Sequence, residues 1–127
     1  MQQKVLIIGA GPAGLCLSLA LAQRGMQVEL FDRQPPEALA EPAFDGREVA
    51  LAHASMRLLR ELGVWQHVPA DAPAMLTRAK VMDGANEGFE VSAASLRAAH
   101  LGAFVSNHHI RAAAWKAVAE VEDIHVH

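Results

Sequence analysis

The stretch KVLIIGAGPAG, residues 4–14, decides the fold of this chain. Its first five residues form a short apolar run, which is typical of a strand buried in a sheet. The last six residues have the pattern G-x-G-x-x-G, and a helical segment follows from about Pro12 to Arg24, closed by Gly25. A second apolar strand, QVELF at residues 27–31, leads to an acid. The order strand, glycine turn, helix and strand predicts a Rossmann-like βαβ unit that binds a dinucleotide.

Each part of this motif has a physical role in holding a pyrophosphate. Gly9 permits the tight turn, Gly11 lets the backbone approach the ligand, and Gly14 allows the helix to pack closely against the strand. The helix N-terminus adds unpaired N–H groups and a partial positive charge. Asp32 lies eighteen residues after Gly14, close to the spacing of about 20 residues expected for a ribose-binding acid. Because a carboxylate repels a 2′-phosphate, Asp32 favours FAD or NAD over NADP.

The composition is that of an ordinary globular domain, with 127 residues, 52% of them apolar and 20% charged. Acidic residues outnumber basic ones, 14 to 11, so the charge balance gives no indication of nucleic-acid binding. The only cysteine, Cys16, cannot form an internal disulfide, which favours a reducing cytoplasm. Neither N-terminal apolar segment is long enough to span a bilayer, so we expect a cytoplasmic protein. The sequence shows no recognisable hydrolase constellation and predicts no metal site.

The middle of the chain is predicted to contain a long loop and one helix. Pro35 and Pro36 predict an irregular stretch that continues to about Gly46, because proline is excluded from helix interiors and central strands. A helix is expected over about residues 53–62, with Ser55 as a plausible N-cap.

The last third is predicted to contain short strands and a final helix. Two short strands are expected at residues 80–82 and 89–91, joined by a turn-rich link. A helix is expected over about 108–120, with Asn107 as its N-cap. The alternating residues 124–127 predict a last strand. Since a parallel sheet needs both faces covered and few elements are available to cover it, we expect the chain to be the N-terminal part of something longer.

Three blocks of sequence resemble FAD-dependent aromatic hydroxylases. The first block, VLIIGAGPAGL at residues 5–15 followed by Asp32-Arg33, is shared by many flavoproteins. The second, DGREVALAH at 45–53 with LLRELGVW at 58–65, and the third, LGAFVSNHHIR at 101–111, resemble the ubiquinone-biosynthesis branch. That branch hydroxylates polyprenylated phenol or benzoquinol rings, and the DGRE variant most resembles the 5-demethoxyubiquinol hydroxylase type. The resemblance covers nearly the whole chain, but only the first portion of a family member.

The resemblance assigns seven residues to the cofactor: Gly9, Gly11, Gly14, Asp32, Arg33, Arg47 and Asn107. It implies that Arg33 flanks the adenine and that Arg47 lies against the cofactor, where its planar fork would offset pyrophosphate charge. It also implies that Asn107 faces the flavin side of FAD. From the residues alone, two alternatives remain open: Arg47 as a solvated loop arginine and Asn107 as a plain helix N-cap. No catalytic acid or base is identified.

The implied activity is an FAD-dependent monooxygenase that takes electrons from NAD(P)H and uses dioxygen to hydroxylate an aromatic ring. Members of this family complete the FAD site with a later D-G motif and a later G-D motif, and they form the substrate pocket with a further sheet. These three parts are absent from the present residues. We therefore expect residues 1–127 alone to bind FAD weakly and to catalyse nothing. The resemblance also implies that the full-length enzyme associates peripherally with the inner membrane or with a biosynthetic complex.

Two other functions remain open at this point. One is a flavoprotein of another oxidoreductase class, such as a reductase or an oxidase, which would share only the first block. The other is a non-catalytic nucleotide-binding remnant. An NAD dehydrogenase is the weakest option, since the long stretch from Gln34 to Glu48 suits an FAD-type chain better.

Overall fold

The computed structural model describes residues 3–127, with the backbone alone at Glu87. The elements in chain order are β1 Lys4–Ile8, α1 Pro12–Ala22, β2 Gln27–Phe31, α2 Pro36–Ala40, β3 Glu48–Ala52, α3 His53–Glu61, a 3₁₀ turn Trp65–His67, β4 Ala74–Leu76, β5 Arg78–Asp83, β6 Asn86–Ser92, β7 Gly102–Ser106, α4 Asn107–Ala119 and β8 Ile124–Val126. The strands form a parallel sheet in the order β1-β2-β8, an antiparallel sheet in the order β3-β7-β4, and a hairpin of β5 and β6.

The parallel sheet is the predicted βαβ unit extended by the last strand. β2 lies in the centre and pairs in parallel with β1 on one side and β8 on the other. Val28 and Leu30 of β2 are fully buried and belong to one core cluster with Leu15 of α1 and Ile110 of α4. The predicted α/β class, the bounds of β1 and β2, and the strand near residues 124–127 are confirmed.

One face of the parallel sheet is open. Leu6 and Ile8 of β1, whose side chains alternate with the buried Ile7, are 67% and 83% exposed. Most parallel sheets are covered on both faces, and strands in them are correspondingly apolar throughout. Leu6 and Ile8 are therefore apolar, as residues of a covered strand are, although nothing within the described residues covers them.

The antiparallel sheet was not predicted from the sequence. Its central strand β7 pairs with β3 and with β4, so that Ala103 lies opposite both Leu51 and Met75. Ala103 and Val105 are fully buried. These strands are only three to five residues long, and runs that short carry little periodic signal.

The prediction of an irregular stretch from Pro35 to Gly46 is wrong in part, because α2 lies within it. Pro35 is the N-cap of α2 and Pro36 is its first residue. A proline at the first helical position loses no hydrogen bond, and its fixed φ suits a helix. Leu39 then turns into the core, where it is buried.

Both predicted N-caps are also wrong, for one shared reason. The N-cap of α3 is Ala52 rather than Ser55, and the N-cap of α4 is Ser106 rather than Asn107. Each helix follows directly from a strand, β3 or β7, so the last strand residue already has the extended backbone of a cap. Strand pairing therefore sets where these helices begin, and neither cap residue uses its side chain to cap the backbone N–H groups of its helix.

The strands predicted at 80–82 and 89–91 are confirmed as parts of the longer β5 and β6. Their link is shorter than predicted, since Gly84 and Ala85 alone separate the two strands. Gly84 has a φ of +58°, a value that glycine adopts readily in a tight hairpin turn.

Candidate cofactor-binding site

The glycine turn joins the end of β1 to the start of α1. Gly9 has a φ of +107°, and its N–H donates to the carbonyl oxygen of Phe31 in the neighbouring strand at 2.7 Å. Gly11 is the extended N-cap of α1, and Pro12 is the first helical residue. No side chain caps this helix, and no acidic residue lies in its first turn. The N-terminus of α1 therefore keeps its partial positive charge and N–H donors for an anion.

Gly14 brings α1 into close contact with the turn. A Cβ at this position would collide with the carbonyl oxygen of Gly9 and would lie 3.6 Å from Cγ2 of Ile7. One turn further along, the Ser18 hydroxyl donates to the Gly14 carbonyl oxygen at 2.8 Å. The packing role predicted for Gly14 thus has a direct steric basis in the fold.

Asp32 lies at the same end of the sheet as the glycine turn. Its Oδ2 accepts a hydrogen bond from the N–H of Ala10 at 2.7 Å, and its Oδ1 accepts one from the N–H of Gln34 at 2.9 Å. These backbone donors, Gln34 first and then Ala10, hold the pKa of the Asp32 carboxyl below its usual range. The carboxylate is therefore ionised at neutral pH, and its bond from Ala10 holds it against the glycine turn.

A cavity of about 470 Å³ opens between the turn and the end of β2. It is lined by Ile8, Gly9, Phe31, Asp32, Arg33 and Gln34. Arg33 is exposed at its edge, so a cation borders the cavity next to the carboxylate. The fold thus brings three of the predicted cofactor residues, Gly9, Asp32 and Arg33, to one opening at the carboxyl ends of the parallel strands, where ligands bind in open α/β sheets.

Arg47 and Asn107 meet at a third residue, Asp45. Oδ2 of Asp45 accepts hydrogen bonds from Nε of Arg47 at 2.9 Å, from Nη2 of Arg47 at 2.7 Å and from Nδ2 of Asn107 at 2.8 Å. The Asn107 amide and then the Arg47 guanidinium hold the pKa of the Asp45 carboxyl well below its usual range. Arg47 is therefore paired with the carboxylate of Asp45. The alternative of a merely solvated loop arginine did not include this pairing.

A second cavity, of about 380 Å³, lies beside the first turn of α1. Its lining includes Pro12, Ala13 and Cys16 of α1, Val49 and Leu51 of β3, and Asn107 of α4. Burial raises the pKa of the Cys16 thiol, which keeps it protonated and unreactive. Asn107 thus shares a cavity with the N-terminus of α1, whereas Arg47 lines neither of the two cavities.

Asp45 was missed as a site residue by the sequence reasoning, in which it appeared only as the first residue of the DGREVALAH block. The available signal was an acid two residues before Arg47, with Gly46 between them. Asp and Asn side chains often bind the backbone two residues ahead, and here the N–H of Arg47 donates to Oδ1 of Asp45 at 3.1 Å. The contact to Asn107, 62 residues away, had no local signal.

The described residues contain neither a metal cluster nor a spanning helix. Within residues 3–127, no group of three or more His, Cys, Asp or Glu side chains is arranged to hold a metal ion. In the same part of the chain, every helix is too short or too polar to cross a bilayer.

This βαβ geometry, with an uncapped helix N-terminus and a carboxylate at the glycine turn, defines a dinucleotide-binding unit of the FAD/NAD class. Residues 2–123 match the family described as FAD binding domain, and the chain belongs to that family. A similar structure is that of 2-methyl-3-hydroxypyridine-5-carboxylic acid oxygenase, with a TM-score of 0.72 and 20% identity over 99% of this chain and 32% of that one. The likeness confirms the predicted fold.

Two relatives carry names from ubiquinone chemistry. Ubiquinone hydroxylase UbiM of Neisseria meningitidis is 35% identical over 131 residues, covering 99% of this chain and 28% of the relative. Ubiquinone hydroxylase UbiL of Rhodospirillum rubrum is 36% identical over 109 residues, covering 86% of this chain and 25% of the relative. The chain therefore spans about a quarter of the length of these relatives. The predicted resemblance to the ubiquinone-biosynthesis branch is confirmed.

Proposed function

We propose that this chain holds the adenosine diphosphate half of FAD as the N-terminal part of the FAD-binding domain of a longer enzyme. The observation that carries the proposal is the hydrogen bond from the N–H of Ala10 to Asp32, which joins the predicted ribose acid to the glycine turn. The uncapped N-terminus of α1 suits a diphosphate, and the cavity beside Asp32 offers room for the nucleoside. The family membership supports FAD as the dinucleotide.

The proposal gives the predicted residues separate roles along the cofactor. Gly11 leaves open space above the helix N-terminus, since no atom lies within 4 Å of a Cβ built there. Asp32 accepts hydrogen bonds from the ribose hydroxyls with the lone pairs that the backbone leaves unused, and Arg33 borders the adenine. Arg47 and Asn107 serve the middle of the cofactor, from the pyrophosphate toward the flavin.

We further propose that the longer enzyme is a monooxygenase that hydroxylates a polyprenylated phenol or benzoquinol in ubiquinone biosynthesis. The names of the two relatives support this reaction over a reductase, an oxidase or a nucleotide-binding remnant. When bound, FAD supplies the transfer of one oxygen atom from dioxygen to the ring, with electrons from NAD(P)H. The residues of this chain bind and orient the cofactor, and no proton transfer is assigned to them.

The substrate-binding domain and the remaining FAD contacts are placed, in this proposal, in parts of the enzyme beyond these residues. The coverage of only 25–28% of the relatives' length supports this division. We place the enzyme in the cytoplasm, with peripheral access to the membrane or to a biosynthetic complex, because a polyprenylated substrate partitions into lipid.

Flavin-fluorescence titration of the 127-residue chain tests the proposal. We expect weak but saturable binding of FAD, competition by ADP and no competition by FMN, because the glycine turn and Asp32 hold the adenosine diphosphate half. Competition by FMN without competition by ADP would refute the proposed site. Tight stoichiometric binding of FAD would instead show that the later family motifs are dispensable.

A further inference from the structure

Asp45 joins two segments that the proposed function assigns to the cofactor. One carboxylate oxygen, Oδ2, accepts three hydrogen bonds, two from Arg47 and one from Asn107. The backbone adds a second connection between the same segments, because the N–H of Asn107 donates to the carbonyl oxygen of Arg47 at 2.8 Å. We call this arrangement of Asp45, Arg47 and Asn107 the Asp45 clasp.

The turn that carries Arg47 is built around the same carboxylate. Gly46 has a φ of +70°, and the other oxygen of Asp45, Oδ1, accepts the N–H of Arg47 at 3.1 Å. Asp45 therefore fixes the backbone of Arg47 through one oxygen and its side chain through the other. The start of β3 follows directly, so the turn is anchored to the antiparallel sheet.

Because Arg47 is exposed to solvent, its hydrogen bonds to Asp45 decide how freely its side chain moves. Its side chain is 72% exposed, so an unrestrained arginine here would sample many rotamers and would lose that freedom on binding a phosphate. Asp45 contacts the Nε and Nη2 edge of the guanidinium, and Nη1 makes no hydrogen bond within residues 3–127. The clasp thus holds the fork in one orientation while leaving donors for an anion.

We propose that Asp45 is a positioning residue of the FAD site, which acts on the cofactor through Arg47. This inference rests on the proposed function, because it takes the ligand of Arg47 to be the pyrophosphate of FAD. Asn107 connects the clasp to the cavity beside the first turn of α1, where the same diphosphate charge would be stabilised. Asp45 remains ionised at neutral pH, since its hydrogen-bond donors lower its pKa.

A double-mutant cycle on FAD affinity tests this role in the 127-residue chain. The variants are Asp45→Asn, Arg47→Ala and the double variant, with Asp71→Asn as a matched control, because Asp71 is an exposed loop acid outside the clasp. We expect Asp45→Asn to weaken FAD binding by about two- to fivefold, the range that an exposed ion pair allows. In the Arg47→Ala background the same change should have no effect, whereas Asp71→Asn should be neutral throughout.

A second readout does not depend on FAD. In the chain without added FAD, solvent exchange of the Arg47 Nε proton, followed by ¹⁵N NMR, should accelerate several-fold in Asp45→Asn and stay unchanged in Asp71→Asn. Equal losses of FAD affinity on Asp45→Asn in the presence and absence of the Arg47 side chain would overturn the proposal. An exchange rate of the Arg47 Nε proton that is the same in Asp45→Asn as in the unmodified chain would also overturn it. Failure of the unmodified chain to bind FAD would overturn the proposed function and this role together.

Discussion

Replacing Gly14 by alanine probes a close approach in the βαβ unit, between α1 and the turn that follows β1. A Cβ at position 14 would lie closer than 3.0 Å to the Gly9 carbonyl oxygen and 3.1 Å from the Gly9 carbonyl carbon. Both are backbone atoms, and the N–H of Gly9 is bonded to Phe31 at 2.7 Å. The clash therefore cannot be relieved by a side-chain rotation, so α1 must move away from the sheet.

The size of the effect follows from two opposing contributions. Overpacking costs about 1–3 kcal/mol, and a collision with backbone belongs at the upper end of that range. Within a helix, alanine recovers about 1 kcal/mol relative to glycine. We expect Gly14→Ala to lower the free energy of unfolding by about 2 kcal/mol, which corresponds to roughly 6–10 °C in Tm for a domain of this size.

Gly11→Ala is the matched control, measured by thermal unfolding followed with circular dichroism. No atom lies within 4 Å of a Cβ at Gly11, and its φ of −74° suits alanine. Its Tm should stay unchanged or rise slightly, while its FAD affinity should fall because the new methyl group occupies the proposed pyrophosphate position. Equal losses of Tm in Gly11→Ala and Gly14→Ala would refute the steric argument.

Two further predictions concern carboxylates of β2 and its end. Asp32→Asn retains only one of the two carboxylate acceptors, so FAD binding should weaken about tenfold and the Ala10 amide should exchange faster by NMR; unchanged values for both would contradict its role. Glu29 is bonded by His127 and Lys4, which lower its pKa from 4.5 to about 2. Ionised Glu29 therefore stabilises the fold above pH 4.5, and this contribution is lost as the pH falls toward 2. Thermal unfolding of Glu29→Gln should lack that acid-induced decline, and parallel pH profiles would argue against it.

The βαβ unit could be predicted from the sequence because its signals are local. The apolar run ending at Ile8, the glycine pattern and the spacing to Asp32 lie within one short stretch. A buried parallel strand and a glycine turn each impose their own residue types, whatever the rest of the chain does. Gly63 is a similarly local signal, because it follows the C-cap Leu62 of α3 with a φ of +76°, a conformation that glycine adopts readily.

The first residues of α3 and α4 and the antiparallel sheet could not be predicted from local sequence signals. Asn107 has the residue type of an N-cap, yet Ser106 takes that position because β7 runs directly into α4. β3, β4 and β7 are short, and their stability comes from each other rather than from a period in the sequence. At α4 local preference does not distinguish Ser106 from Asn107, whereas at Ala52 and in the three short strands pairing decided the structure.

The sequence by itself determined the nucleotide-binding turn, its acid and the family resemblance, because each depends on residues at fixed short spacings. Only the tertiary structure decided that Arg47 and Asn107 meet at Asp45. That contact needs β3 and β7 to pair in one register, with Glu48 opposite Ser106, so that segments 62 residues apart lie side by side. No local pattern encodes such a register, since it arises from the packing of the whole core.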